Sequence, residues 1–157
     1  MPMTAQALFD ANFNPPQSIS ATSVFRDADT TATTPQSEEI QHWNSLWKDL
    51  ETQYSQKNFF QALTVLQQIQ ALDTDGEYSS ETFFYSGLLH LNSGEALQAL
   101  NDFEKVVVGH TEDRDWYSAL ALLALDRKAE ATLALEKIVD TKHPRHQEAA
   151  YILEKWR

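Results

Sequence analysis

DWYSALALLALDRKAEATLALEKI, residues 115–138, is rich in alanine and leucine at helical spacing, and only the pair Arg127-Lys128 marks a turn within it. Whether it forms one long helix or two folded against each other decides the fold. The answer comes from a repeat. Gly87, Ala99, Phe103 and Val106 are separated by steps of 12, 4 and 3, and Ala119, Ala131, Leu135 and Ile138 repeat those steps at an offset of 32. Close packing of two antiparallel helices accounts for this pattern: a small residue on each helix lets the backbones approach, and larger residues fill the seam beside them. Residues 115–138 are therefore predicted to be two helices that turn at 126–128. Gly87 is a contact glycine, and the closer approach offsets its mid-helix cost of about 1 kcal/mol. A weaker copy stands upstream at Ala62, Leu66 and Ile69, where the residue twelve before Ala62 is Leu50 rather than a small one.

The totals suit one domain with a tail. The chain has 157 residues, 42% of them hydrophobic, enough for a modest core. Its net charge is -11, with only 12 Lys and Arg. A nucleic-acid backbone is excluded as a partner because it demands clustered cations, and anionic membrane surfaces are disfavoured for the same reason. With no cysteine, disulfides, thiolate catalysis and cysteine-bearing zinc sites drop out, while the compartment stays open. The opening MPMTAQALFDANFNPPQS has neither a basic n-region nor a long apolar run, so it reads as neither signal peptide nor membrane span.

Proline and glycine divide the chain. No proline falls between Pro35 and Pro144, which leaves that interval free to be helical. Gly76, Gly94 and Gly109 fall between apolar periodic stretches, where a helix end needs positive φ. Residues 1–35, rich in Ser, Thr, Ala and Asp, read as an extended or disordered N-terminal arm. Residues 36–157 read as a helical repeat domain of seven segments: 37–56, 59–72, 79–92, 95–108, 112–125, 128–140 and 144–156. Thr34 before Pro35, or Ser37 before Glu38 and Glu39, would cap the first, and His143-Pro144 opens the last. On the final helix Ala149, Ala150, Leu153 and Trp156 are placed on the inner face.

This spacing resembles the tetratricopeptide repeat family, whose unit is a hairpin of about 34 residues stacked into a superhelix. FFYSGLLHLNSGEALQALNDFEKVV, residues 83–107, matches best, through Phe83, Gly87, Gly94, Ala99, Phe103 and Val106. WYSALALLALDRKAEATLALEKI follows, and WKDLETQYSQKNFFQALTVLQQI matches mainly in its second half. Ala119 stands where the family has glycine, and Leu50 is large where the motif is small. The resemblance implies an all-α fold of three hairpins plus a C-terminal capping helix, and a role in binding rather than in a reaction. The C-terminal run also resembles the end of bacterial cell-envelope repeat proteins. That likeness implies a periplasmic setting, with the cytoplasm as the alternative, and a membrane anchor that in such proteins usually precedes the repeats.

In such repeats the first helix of each hairpin lines the concave face. Trp47, Glu51 and Tyr54, then Phe84, Leu88 and Leu91, then Trp116, Leu120 and Leu123 each fall on one helical face by steps of 4 and 3. Trp47, Tyr54, Phe84, Leu88, Leu91, Trp116, Leu120 and Leu123 would form an aromatic, apolar groove for a peptide or protein segment. Equally, they would simply fill core between repeats. Phe9 and Phe13, in an otherwise polar arm, suggest that the arm lies in this groove of its own chain or of a neighbour, giving a plug or a homodimer. Polar clamps for chaperone-tail carboxylates are not matched, since Trp47, Phe84 and Trp116 occupy the first-helix positions where they would begin.

Catalytic and metal candidates are thin. His143 and His146 lack a third ligand at helical spacing and read as surface residues. His90 reads as a packed, hydrogen-bonded histidine of the hairpin seam, and Ser86 and Ser118 as structural. HExxH, GxSxG and phosphate-loop motifs are missing. The sequence thus predicts a non-catalytic interaction module without cofactor or metal. The alternative is a self-assembling structural protein whose arm fills the groove.

Overall fold

The computed structural model describes residues 2–20 and 35–156, and all regular structure among them is α-helical. In chain order the helices are α1 (Ala5–Asn12), α2 (Pro35–Ser55), α3 (Phe59–Leu72), α4 (Ser79–Asn92), α5 (Ala96–Glu104), α6 (Thr111–Ala124), α7 (Lys128–Asp140) and α8 (His146–Trp156). The stretch 115–138 is two helices, α6 and α7. The cap at Thr34 lies outside the described residues. Ser37 sits inside α2 and is buried.

Three departures from the sequence reading have local causes. Within the segment read as an extended arm, residues 5–12 form α1. Thr4 caps it, its hydroxyl accepting from the Ala7 N–H at 3.2 Å. Helix α5 stops at Glu104 rather than continuing to 108. Fully buried Val106 is followed by exposed Val107 and Val108, and the Arg114 guanidinium donates to the Val106 carbonyl at 2.5 Å, which ties the chain into a loop. On α8 the inner face is Ala149, Ile152, Leu153 and Trp156, with Ala150 exposed. The helix starts at His146, two residues after Pro144, and Ile152, three residues after Ala149, shares the buried face, while Ala150 is turned about 100° from Ala149.

The chain divides into two compact units: residues 16–82, and residues 1–15 with 83–157. In the first, α2 packs on α3. Trp43, Trp47, Leu50 and Tyr54 recur at steps of 4, 3 and 4 along α2, and all are buried, as are Ala62, Leu66 and Ile69 on α3. The two tryptophan rings meet edge to face at 5.9 Å, and Trp43 also lies 5.2 Å from Tyr78. Burial of each such large apolar side chain stabilises the unit by about 1.5–3 kcal/mol.

In the second unit α6 packs on α5 and α7, α7 on α8, and α1 on α6 and α8. The α4–α5 seam is the one the repeat predicted. A Cβ placed on Gly87 would lie 2.4–2.8 Å from three atoms of the Phe103 ring, well inside contact distance. At the equivalent seam of α6 and α7, Ala119 and Leu135 are both fully buried, so a larger small residue is matched by a smaller large one.

One turn geometry closes all three hairpins. Lys57, Gly94 and Asp126, each two residues before the next helix, have φ of 61°, 77° and 53°. The residue after each donates its N–H back five positions, Asn58 to Gln53, Glu95 to His90 and Arg127 to Leu122. That bond satisfies helix-end carbonyls in the manner of a Schellman cap.

Candidate functional site

Helix α1 is held at three points. Leu8 is fully buried and Ala5 nearly so. Ahead of the helix the Met3 N–H donates to the Lys155 carbonyl at 3.0 Å. Beyond it Phe13 stacks on Phe9 at 5.0 Å and sets its edge 6.2 Å from the Tyr117 ring at 88°, a favoured aromatic arrangement. The C-terminal end closes through the Phe13 N–H to the Phe9 carbonyl and the Asn12 amide to the Leu8 carbonyl, both at 2.8 Å.

Tyr117 anchors the receiving surface. It lies about equally far from Phe84 and Phe103, 6.3 Å from each ring. Burial pushes its phenol above the ordinary value near 10, the Asp113 carboxylate adds to the rise, and Arg145 opposes it. The hydroxyl is therefore neutral throughout the physiological range. Beside α1 a cleft of about 360 Å³ is lined by Gln6 and Phe9 of α1, Leu91 of α4, residues 94–98 at the start of α5, and Ala124 and Leu125. Leu97 in that lining is half exposed.

The eight side chains predicted for a groove are all buried. In the unit of residues 16–82, Trp47 packs on Trp43, and Tyr54 donates its hydroxyl to the Pro16 carbonyl at 2.8 Å. In the other unit Phe84 stacks on His110 at 4.2 Å, and Trp116 lies beneath the Arg145 guanidinium at 5.7 Å. Leu88, Leu120 and Leu123 are completely enclosed, and Leu91 is the one of the eight that lines the cleft beside α1. Tyr117 was passed over by the sequence reading. The signal was present: Tyr85-Ser86 and Tyr117-Ser118 stand at the 32-residue offset, immediately before Gly87 and Ala119.

Polar side chains serve the scaffold. Ser86 donates to Asp102 Oδ2 at 2.6 Å, and His90 Nδ1 lies 2.7 Å from the same oxygen. Ser86 and His90 thus converge on one carboxylate across the α4–α5 seam. His90 is the packed, hydrogen-bonded histidine expected there. His143 departs from the surface role expected of it: it is buried, its Nδ1 accepts from the Arg145 N–H at 2.9 Å, and its Nε2 donates to the Glu112 carbonyl at 2.7 Å. That pairing fixes the Nε2–H tautomer and ties the α7–α8 turn to the start of α6. His146 bonds the His143 carbonyl at 2.8 Å.

A second cleft, about 370 Å³, opens between α6 and α7, with Glu112, Asp115 and Ser118 on α6, Lys137 on α7, and Lys142 and His143 beyond it. Asp115 is engaged by Arg114 at 2.9 Å. Among the described residues no group of three His, Asp or Glu is placed to hold a metal ion, and no helix is long and apolar enough to cross a membrane. Compared with protein families, curated proteins and solved structures, the chain finds no match.

Proposed function

We propose that the chain is a non-catalytic protein-interaction module that binds a short segment of another protein on the side of α6 and α8 that α1 occupies. The observation carrying this reading is α1 itself: a short helix distant in sequence, held by a buried leucine, an aromatic edge and a main-chain hydrogen bond. Recognition of an amphipathic helix by an apolar surface uses contacts of this kind. The tetratricopeptide resemblance supports the same reading through the Gly87–Phe103 seam and the repeated hairpin turn. The likeness to cell-envelope repeat proteins adds the periplasm as its setting.

The test is selection from a displayed library of 16-residue peptides on the immobilised full chain. The reading expects a family of sequences with helical apolar spacing to enrich above the level on an unrelated helical protein. Absence of enrichment contradicts it. Self-assembly is the second reading, favoured by the docking of the arm. It expects light scattering to give a mass that rises from one chain to two with concentration, and a constant single-chain mass counts against it.

A further inference from the structure

We infer that α1 is a built-in occupant of the partner-binding surface, and that the partner segment it mimics is a short helix bearing the pattern of Ala5, Leu8, Phe9 and Phe13. That pattern is a small residue, then leucine and phenylalanine three and four positions on, then a second phenylalanine four beyond. The inference rests on the protein-binding reading and adds to it the ligand's chemistry and the way access is controlled.

Three observations carry it. First, α1 has eight residues, below the roughly 12–15 at which an isolated helix holds in water. Its helical state is conferred by the surface it lies on, so that surface selects a helix. Second, the contact is made by one face of α1: Ala5 and Leu8 are buried, the Met3 N–H bonds the Lys155 carbonyl and Phe13 sets its edge on Tyr117, so a helix of the same pattern presents the same groups to α6 and α8. Third, α1 leaves part of its site unfilled. Phe9 is only half buried, and the cleft of about 360 Å³ at its side keeps Leu97 half exposed. A helix carrying bulk at the Gln6 and Phe9 positions would make contacts that α1 does not.

The tether helps to keep the contact closed. Pro15 and Pro16 mark the step at which the chain passes from one compact unit to the other, and α1 stays covalently attached to the surface it covers. Tethering holds its effective concentration near the millimolar range. A partner helix must therefore bind better than α1 does, and it meets a surface that discriminates against weak ligands.

The experiment measures fluorescence anisotropy of a labelled peptide, residues 2–15, against three forms of the full chain: native, Leu8→Asp, and the doubly substituted Met3→Cys/Lys155→Cys. The chain has no cysteine of its own, so oxidation of the introduced pair locks α1 in place at the main-chain contact. The peptide is expected to bind Leu8→Asp at least tenfold more tightly than the native chain. The oxidised lock is expected to bind at least tenfold more weakly than the same protein after reduction. Equal affinity for native, Leu8→Asp and the oxidised lock overturns the built-in occupant while leaving the protein-binding reading to the library selection. Binding to none of the three overturns the inferred ligand pattern. Should Leu8→Asp lose its helical circular dichroism, the oxidised and reduced states of the lock decide the matter alone, equal affinity counting against the inference.

Discussion

Gly87 carries no side chain at the point where the Phe103 ring lies against α4. Gly87→Ala gains about 1 kcal/mol of helix propensity and loses about 1–3 kcal/mol to overpacking against an enclosed ring. The expected net effect is destabilisation of about 1–2 kcal/mol in chemical denaturation. Phe103→Leu, which copies the Ala119 and Leu135 combination, should recover part of that loss in the double variant, and simple additivity would contradict the compensation. The contact glycine was legible because the spacing of small and large residues records how closely two helices approach. Asp102 was not, since its partners Ser86 and His90 stand 16 and 12 positions away and only the fold brings them to one carboxylate. Asp102→Ala should cost about 1–3 kcal/mol by leaving the buried Ser86 hydroxyl without its acceptor, and Ser86→Ala should then cost less in that background than alone. Tyr117 adds a pH dependence. Its folded-state value is raised, so above about 10 the unfolded chain releases this proton while the folded chain retains it. Stability falls as pH rises through that window. Tyr117→Phe should remove this part of the alkaline loss in denaturation measured from pH 8 to 11, and an unchanged slope would contradict it.

Helices α2, α3, α4, α6 and α7 could be placed from the sequence within one or two residues, because each is long enough to repeat its apolar face several times. Helix α1 could not. Eight residues show two turns at most, and its helicity comes from docking rather than from local propensity. The three hairpin turns were equally hidden at two of their positions, where Lys57 and Asp126 take the left-handed conformation that Gly94 takes freely. A non-glycine residue there costs roughly 1 kcal/mol. Lys57→Gly and Asp126→Gly should each raise the melting temperature by a few degrees. Gly94→Ala should lower stability by about 1 kcal/mol through the backbone alone, since an added Cβ there meets nothing within 4 Å. Equal melting temperatures across these variants would show that the turns are not strained.

Across the whole chain, the repeat foretold the order of the helical hairpins and the absence of strands among the described residues. The place where a segment is received was less legible. Periodic aromatic and leucine residues mark an interior face whether that face ends up against solvent, a ligand or another part of the chain, and all eight predicted residues are buried. What identifies the receiving surface is α1, which the sequence announces only through Phe9 and Phe13 in a polar arm. Whether that helix rests on α6 and α8 in solution is read by hydrogen–deuterium exchange on the native full chain. The amides of Leu8 and Phe13, bonded to the Thr4 and Phe9 carbonyls, should exchange far more slowly than in a free peptide of residues 2–15. Exchange at the free-peptide rate would mean that α1 does not rest on this surface in solution.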